Sequence, residues 1–349
     1  MIKIGKKKIK QGRTFIVAEM SANHNGSLVR AKRIIEAAKK CGADAIKLQT
    51  FTPETITLNS QNKDFVMSHL SKKSKWKKFN TFFDIYKKAT TPWHWHKTLF
   101  SFAKKIGIEI FSSPFDESSV DFLEKLNCPA YKIASPEITH IPLLEKVAKT
   151  KKTIIISTGL AEEKDIHLAL KTVKKYNKKI ILLKCNTAYP SPLDEGNLLN
   201  LNYLKNKYKV DVGYSDHTAS NISSIVAATL GSVLIEKHIN LNDNKKTLDS
   251  FFSTSEKDFK NLVKDIRNVN KVKGQVKYVL SESSKKNFKG RRSIYVSKNI
   301  LKGEKVTSSN IKVVRPGKSL HPKFYKKVLG KKARKNFFYG DRIKLNNLK

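Results

Sequence analysis

The sequence predicts an α/β protein built as a (β/α)8 TIM barrel that is followed by a small β-rich domain. Short apolar runs alternate with segments of helical periodicity over about 270 residues, a pattern typical of this barrel. Polar residues gather after the apolar runs, at the C-terminal strand ends where such barrels place their active sites. A doubly wound open sheet is the alternative, but no GxGxxG motif follows the first apolar run.

Eight strands and the helices after them are predicted from the periodicity of apolar residues. The strands cover residues 15–20, 45–49, 109–112, 130–133, 153–156, 180–185, 210–214 and 233–235. The helices cover residues 28–40, 91–106, 118–126, 142–149, 162–176, 198–207, 220–230 and 255–271. Ser27 and Ser255 are the predicted N-caps of the first and last helices. Residues 51–90 form a long insertion that is predicted to be partly helical.

The chain changes character after the last predicted helix. Residues 274–290 are polar and rich in lysine, and we predict that they link a barrel domain at 1–273 to a second domain at 291–349. The second domain contains short alternating runs that are separated by glycine and proline, which predicts a β-rich fold. It is too small to be an obvious second enzyme.

The composition indicates a cytoplasmic protein with a strongly basic surface. Cys41, Cys128 and Cys185 lie far apart, which argues for a reducing compartment and against a disulfide framework. No apolar run is long enough to predict a membrane span, and no signal peptide is predicted. The net charge of +41 suggests a nucleic-acid partner, but the excess is spread along the chain and includes only nine arginines. We therefore expect a solvated lysine surface, with nucleic-acid binding as the alternative from another class.

Two histidines occupy equivalent places between residues 210 and 239. His217 and His238 each follow a predicted strand, and the helix between the strands implies a parallel crossover. The two imidazoles then lie at one edge of the sheet, where they can share a divalent metal with carboxylates and water completing the shell. The alternative is that both residues only form hydrogen bonds.

Lysines and serines near the other strand ends predict an anion pocket. The lysines are Lys47, Lys132 and Lys184, and the serines are Ser113, Ser135, Ser157 and Ser215. Ammonium and hydroxyl donors together suit a phosphate and a carboxylate. Lys132 could instead be the Schiff-base lysine of an aldolase. Glu19 and Glu137 suit sugar hydroxyls or proton transfer. His24 either lines the site or braces a tight turn, and structural roles are expected for His94 and His96.

Several segments resemble the sialic acid synthase family. In the barrel they are AEMSANHNGS (18–27), ADAIKLQTFTPETITL (43–58), FSSPFD (111–116), YKIASPE (131–137), STGLA (157–161), KCNTAYP (184–190), GYSDHT (213–218) and IEKHI (235–239). Residues 291–317 resemble the C-terminal antifreeze-like (SAF) domain of the same family. Three segments resemble the pseudaminate-forming branch of the family, namely SANHNGS, LQTFTPETITLNS and ATTPWHWH. The lack of Gly-Pro in residues 242–248 supports the same branch. The legionaminate- and N-acetylneuraminate-forming branches are the alternatives.

The resemblance implies a condensation of phosphoenolpyruvate with an open-chain acetamido sugar, expected to be 2,4-diacetamido-2,4,6-trideoxy-L-altrose. The products are a nonulosonic acid and phosphate, released by C–O cleavage. The implied metal is Mn²⁺ or Mg²⁺, held by His217 and His238. The implied phosphoenolpyruvate contacts are Lys47, Ser113, Lys132, Ser135, Ser157, Thr187 and Ser215. The implied sugar contacts are Glu19, Gln49, Tyr189 and Asp249. Glu137 lies beside both sets, and the sequence leaves its role in proton transfer open.

Arg315 heads a turn in the predicted second domain, where Pro316 fixes the backbone and Gly317 allows the bend. On spacing alone it is one more surface cation. In the resembling family this position reaches over the barrel mouth of the other subunit and contacts the N-acetyl group of the sugar. The resemblance therefore implies a domain-swapped homodimer in which Arg315 completes the partner's active site.

Overall fold

The computed structural model describes residues 2–10, 12–67, 75–243 and 245–349 of the chain. They form two compact units, residues 1–274 and residues 275–349. Among the described residues, no helix has both the length and the apolar character needed to cross a membrane.

A short antiparallel hairpin precedes the barrel, and the sequence did not predict it. Strand β1 (Lys3–Ile4) pairs with β2 (Lys7–Lys8), and Ile4 and Ile9 are buried in the barrel core. Thr153 Oγ1, at the start of a barrel strand, donates a hydrogen bond of 2.7 Å to the Lys3 carbonyl. The hairpin therefore packs against the N-terminal end of the barrel. Its strands are too short to carry a recognisable periodicity.

Eight parallel strands close into the predicted barrel. They are β3 (Phe15–Glu19), β4 (Ala45–Thr50), β5 (Glu109–Pro114), β6 (Ala130–Ile133), β7 (Thr153–Ser157), β8 (Ile180–Cys185), β9 (Asp211–Asp216) and β10 (Leu234–Asn240). Strand β10 pairs with β9 on one side and with β3 on the other, which closes the ring. A two-residue strand, β11 (Thr254–Ser255), extends the pairing beside β10. The last two barrel strands run further than predicted, through Asp216 and Asn240, because the polar residues after each apolar run stay in the ladder.

The helices that follow the strands agree with the predicted pattern. They are α1 (Leu28–Lys40), α2 (Pro53–Ile56), α3 (Phe82–Ala89), α4 (Trp93–Ile106), α5 (Glu117–Lys125), α6 (Ile141–Lys149), α7 (Glu163–Lys174), α8 (Asn200–Tyr208), α9 (Ile222–Thr229) and α10 (Glu256–Lys273). Ser27 and Ser255 accept hydrogen bonds from backbone N–H groups of α1 and α10, so both predicted N-caps are confirmed. Helices α2 and α3 lie in the insertion at 51–90, which is partly helical as predicted; its residues 68–74 lie outside the described residues.

The second unit is built around a small antiparallel pair. It contains α11 (Glu282–Lys286), β12 (Ser293–Val296), β13 (Ile311–Val314) and α12 (Tyr325–Val328). Ile294, Ile300, Val306 and Phe337 lie in its separate hydrophobic core. One of the short alternating runs of this domain, residues 305–306, makes a single bridge between Lys305 and Lys332.

Asp44 anchors the N-terminal end of the barrel just before β4. Its side chain is 2% exposed and accepts hydrogen bonds from the Ile16 N–H at 2.9 Å, Arg13 at 2.9 Å and Arg267 at 2.5 Å. Burial alone would raise the pKa of Asp44, but the Ile16 N–H and the Arg267 guanidinium outweigh burial and lower it. The contacts tie α10 to β3 and β4.

Replacing Asp44 by asparagine is expected to lower the free energy of unfolding by about 2–4 kcal/mol at pH 7, because a buried ion pair is broken. A carboxylate with a lowered native pKa stabilises the fold above its unfolded pKa of about 4, and this contribution is lost as the pH falls through the native pKa. Urea unfolding at pH 7 and in the acid range measures the difference, which should shrink in acid. Asp121→Asn, on an exposed pair with Lys146, is the control; equal effects of the two variants would contradict the assignment.

Candidate active site

A buried charge network fills the barrel near the C-terminal strand ends. Lys47 on β4 and Lys132 on β6 both contact Glu236 on β10, with Nζ–Oε1 distances of 3.7 and 3.2 Å. Lys47 is also paired with Glu19 on β3 and lies 3.2 Å from Ser113 Oγ. The four ionisable side chains are all buried. Buried charges persist only when they are paired, so the network fixes two ammonium groups in place.

The pairing favours the charged forms of Lys47 and Glu236. Burial alone would lower the pKa of Lys47, but the carboxylates of Glu19 and Glu236 outweigh burial and raise it. Burial would raise the pKa of Glu236, but Lys132 and Lys47 outweigh burial and lower it. Ser215 Oγ lies 3.5 Å from Glu236 Oε1. The ion pair to Glu236 also argues against Lys132 as a Schiff-base lysine, because that chemistry needs a neutral amine.

Hydroxyl groups from three further strand ends add hydrogen-bonding capacity. Ser157 Oγ and Thr187 Oγ1 are buried and have no hydrogen-bond partner among the residues that the structure describes. Ser135 Oγ accepts hydrogen bonds from the N–H groups of Gly159 at 2.5 Å and Leu160 at 3.2 Å. Its own O–H is left to donate elsewhere. Buried polar atoms without partners are costly, and a bound anion would satisfy these hydroxyls.

A cavity of about 320 Å³ opens at the same strand ends. Its polar lining includes six predicted site residues, namely Gln49, Glu137, Thr187, Tyr189, His238 and Asp249. Asp249 Oδ2 accepts a hydrogen bond of 3.1 Å from the Ala22 N–H, which holds the carboxylate at the cavity edge. The rest of the lining is mainly apolar. The volume and mixed lining suit a small polar molecule.

Glu137 lies in the 3-10 turn Pro136–Thr139 after β6 and lines this cavity. Its Oε2 is buried and has no hydrogen-bond partner among the described residues. Burial raises the pKa of Glu137 to about 7, although the charges of Lys132 and Lys47 act in the opposite direction. A carboxyl group that titrates near neutral pH is suited to accept or donate a proton during catalysis.

His217 and His238 come together as the sequence predicted, with ring centroids 5.4 Å apart. His217 Nδ1 lies 2.7 Å from the Asn186 carbonyl oxygen. Because a carbonyl oxygen only accepts hydrogen bonds, Nδ1 is the donor. His238 Nδ1 lies 3.1 Å from Ser21 Oγ. Burial first, and the positive charge of His217 next, hold the pKa of His238 well below its usual value.

These contacts fit a divalent metal bound at the two Nε2 atoms. Each ring is oriented through its Nδ1, and neither Nε2 atom has a hydrogen-bond partner among the described residues. The carboxylate ligands expected from the sequence are not found, because the described residues contain no group of three or more His, Cys, Asp or Glu side chains able to hold a metal. Two protein ligands leave the remaining positions to water and substrate.

The structure decides two further sequence expectations, the inward position of Lys184 and the role of His24. Cys185 Sγ lies 3.8 Å from His217 Nδ1, so its neighbour Lys184 points to the opposite face of β8. Lys184 bonds instead to the Cys185 carbonyl and to Asn186, and its place in the anion pocket is wrong. His24 braces a turn, since its Nδ1 accepts a hydrogen bond from the Gly26 N–H at 3.1 Å.

His96 has the structural role that the sequence predicted. It is buried on α4, with Nε2 2.8 Å from Thr50 Oγ1. Burial lowers its pKa to about 4, which keeps the ring neutral.

Glu236 is the site residue that the sequence analysis missed. It follows Ile235 in the IEKHI motif, two residues before His238, and both face the barrel interior because side chains alternate along a strand. The position of His238 in the site implies the same for Glu236, because the two residues are two apart on one strand. The predicted strand ended at Ile235, so this alternation was not extended to Glu236, whereas β10 continues to Asn240.

Comparison with known proteins gives a family match for each of the two units. Residues 34–278 match the NeuB family, and residues 291–349 match the SAF domain. The chain belongs to the NeuB family. It is 42% identical over 333 residues to pseudaminic acid synthase of Campylobacter jejuni, covering 95% of this chain and 96% of that protein. It is 44% identical over 323 residues to pseudaminic acid synthase of Helicobacter pylori, covering 92% and 93%.

A solved NeuB-type structure shares the fold. N-acetylneuraminic acid synthetase from Leptospira borgpetersenii superposes with a TM-score of 0.71 at 29% identity, covering 82% of this chain and 94% of that chain. The predicted resemblance to the sialic acid synthase family, the barrel and the SAF domain are all confirmed.

Proposed function

We propose that this NeuB-family chain is a pseudaminic acid synthase. It condenses phosphoenolpyruvate with the open-chain aldehyde of 2,4-diacetamido-2,4,6-trideoxy-L-altrose. The observation that carries the proposal is a group of strand-end side chains beside the cavity. It comprises two lysines fixed by Glu236, buried hydroxyls without partners among the described residues, and two adjacent histidines that could bind a metal. The identity to pseudaminic acid synthases over nearly the whole chain supports the choice of sugar.

Lys47 and Lys132 form a lysine layer in the buried charge network, and this layer is the proposed phosphoenolpyruvate site. Lys47 and Lys132 supply fixed positive charge for the phosphate and carboxylate, and Glu236 bridges the two ammonium groups. The hydroxyl donors are Ser113, Ser135, Ser157, Thr187 and Ser215. Binding energy spent here positions the enol carbon for attack.

The sugar occupies the cavity in this proposal. Gln49, Tyr189 and Asp249 line it and would contact hydroxyl and acetamido groups. Glu19 is the fourth expected contact; it is buried, with Oε1 accepting a hydrogen bond of 2.8 Å from the Ser21 N–H. A divalent metal held by His217 and His238 would supply Lewis-acid polarisation of the sugar aldehyde. Metal analysis of the purified protein distinguishes Mn²⁺ from Mg²⁺ at this site.

A carbon–carbon bond forms between C3 of phosphoenolpyruvate and the aldehyde carbon, and the aldehyde oxygen gains a proton. Water adds to C2, and the C2–O bond to phosphate breaks. The water must lose a proton, and Glu137 Oε2 is the acceptor we assign, because Glu19 and Glu236 are each paired with a lysine. Lys132, Glu137, His217 and His238 are thus the proposed catalytic residues.

A sugar panel tests the proposal. Purified protein with phosphoenolpyruvate and Mn²⁺ should release phosphate fastest with the altrose derivative. The alternatives, legionaminate and N-acetylneuraminate synthesis, predict that the corresponding diacetamido sugar or N-acetylmannosamine is used best. No release with any of these sugars would overturn the synthase proposal. Salt-dependent binding to nucleic acid without turnover would favour the alternative class.

The proposed site also takes a residue from a second copy of the chain. Arg315 is exposed at the end of β13 and has no ion-pair partner among the described residues. From the family resemblance we infer a domain-swapped homodimer in which Arg315 contacts the acetamido sugar in the partner's barrel. The free, buried cysteines are consistent with a reducing cytoplasm, where we place the enzyme.

Mixed dimers test this arrangement. Arg315→Ala is expected to raise the sugar KM about tenfold or more while sparing phosphoenolpyruvate binding, since a charge-assisted hydrogen bond is lost. Dimers of Arg315→Ala with His217→Ala subunits should exceed both parents in activity at low sugar, because one of the two sites regains both residues. Arg334→Ala, at another exposed arginine of the same unit, is the control. Mixed dimers no better than the parents, or a fully active monomer, would contradict the swap.

A further inference from the structure

The cavity has one face that the barrel repeat does not supply. The insertion between β4 and α4 contributes an apolar wall, formed by Phe51, Ile56, Met67 and Ile85 together with Phe115 from the loop after β5. Phe51, Met67 and Ile85 are at most 7% exposed. Phe51 packs edge-on against Phe115, with ring centroids 5.1 Å apart. The wall is therefore a packed surface rather than a loose loop.

The position of the wall assigns it to one end of the sugar. The aldehyde carbon must lie near His238 and the lysine layer, where the new bond forms. The remote end of the sugar chain then lies among the rest of the cavity lining, which is mainly apolar and includes the wall. A hydroxyl group pressed against such a surface would lose its water without gaining a partner, whereas a methyl group would pack there.

Tyr86 adds a single polar group to this apolar face. It lies on α3, stacked on Phe82 and edge-on to Phe51 with ring centroids 5.8 Å apart. The ring lines the cavity, and its hydroxyl has no hydrogen-bond partner among the residues described by the structure. Burial raises the pKa of Tyr86, and the nearby charge of Glu137 raises it further. An amide carbonyl of a ligand would satisfy this donor.

Helix α3 is held firmly enough to position the tyrosine. Thr81 and Asp84 form a reciprocal capping box at its start, with N–H to side-chain distances of 3.0 and 3.1 Å. At its end, Thr90 Oγ1 donates a hydrogen bond of 2.6 Å to the Phe51 carbonyl. The helix is thereby tied to the end of β4, from which Gln49 lines the same cavity.

We propose that Tyr86 and the apolar wall form a specificity subsite for the remote end of the sugar, in which the wall receives the C6 methyl group and Tyr86 donates a hydrogen bond to an acetamido carbonyl. The subsite selects 6-deoxy diacetamido sugars against N-acetylmannosamine, whose C6 hydroxyl would face the wall. This inference rests on the proposed synthase function.

Steady-state kinetics of Tyr86→Phe test the hydrogen bond. The variant keeps the ring and removes only the hydroxyl, so the wall stays intact. We expect the KM for the diacetamido sugar to rise about three- to tenfold while the KM for phosphoenolpyruvate is unchanged. Tyr203→Phe is the matched control, because Tyr203 is 50% exposed on α8 and does not line the cavity. An unchanged sugar KM in Tyr86→Phe overturns the role of Tyr86.

Met67→Gln tests the wall, since it places an amide of similar shape in the apolar surface. The ratio of kcat/KM for the diacetamido sugar to that for N-acetylmannosamine should fall about tenfold or more. An unchanged ratio in a folded variant, with phosphate release intact, overturns the wall while leaving the synthase function standing. If the unaltered enzyme releases no phosphate with any sugar, the proposed function fails and the subsite falls with it.

Discussion

Replacing His217 or His238 by alanine is expected to reduce turnover about a thousandfold or more without unfolding the barrel. In the proposed site, each variant removes one of the two histidines that would hold the metal. Loss of Lewis-acid stabilisation worth about 4 kcal/mol corresponds to a thousandfold in rate. His238 lines the cavity and His217 packs against the cavity residue Tyr189, so alanine at either position leaves a space that water can fill.

Two readouts separate metal loss from general damage. The affinity for Mn²⁺, measured on the purified variants by calorimetry or by the electron paramagnetic resonance of free Mn²⁺, should fall together with the activity. His167→Ala, at an exposed position on α7, should change neither. Full activity of His217→Ala in the presence of a chelator would refute the assignment.

Glu137→Gln is expected to lower kcat about a hundred- to ten-thousandfold, the range typical of a lost general base. The amide cannot accept the proton of the attacking water, and it fits the same buried space. The exposed Glu36→Gln, on α1, is the control for the loss of one carboxylate.

The pH profile gives the sign of this effect. Because burial raises the pKa of Glu137 to about 7, the carboxylate form needed for proton acceptance is scarce below that pH and predominates above it. The kcat of the unaltered enzyme should therefore rise with pH through an apparent pKa near 7. The residual activity of Glu137→Gln should lack this rise. A profile that falls through pH 7 would assign Glu137 the role of an acid instead.

The barrel could be predicted because its signal is local and repeated. Runs such as Thr153–Ser157 are buried on both faces, so they stand out as continuous apolar stretches in the sequence. The hairpin at Lys3–Lys8 could not be predicted in this way, because two-residue strands have no periodicity and it is held by contacts with residues more than a hundred positions away.

The site could be predicted in part, for a related reason. His217 and Lys132 lie at or beyond strand ends, where the fold itself indicates an active site. Lys184 was misplaced because a charged residue at a strand end was assumed to point inward, although the alternation along β8 turns it outward. Tyr86 could not be found at all, since the insertion that carries it has no fixed place in the barrel repeat.

The fate of the bridging oxygen of phosphoenolpyruvate tests the central claim most directly. The protein is incubated with metal, the diacetamido altrose and phosphoenolpyruvate carrying ¹⁸O between C2 and phosphorus, and the products are analysed by mass spectrometry. A synthase that adds water at C2 and breaks the C–O bond places the label in inorganic phosphate and yields an unlabelled nine-carbon sugar acid. Label retained in the organic product, or phosphate released without a nine-carbon acid, would contradict the account.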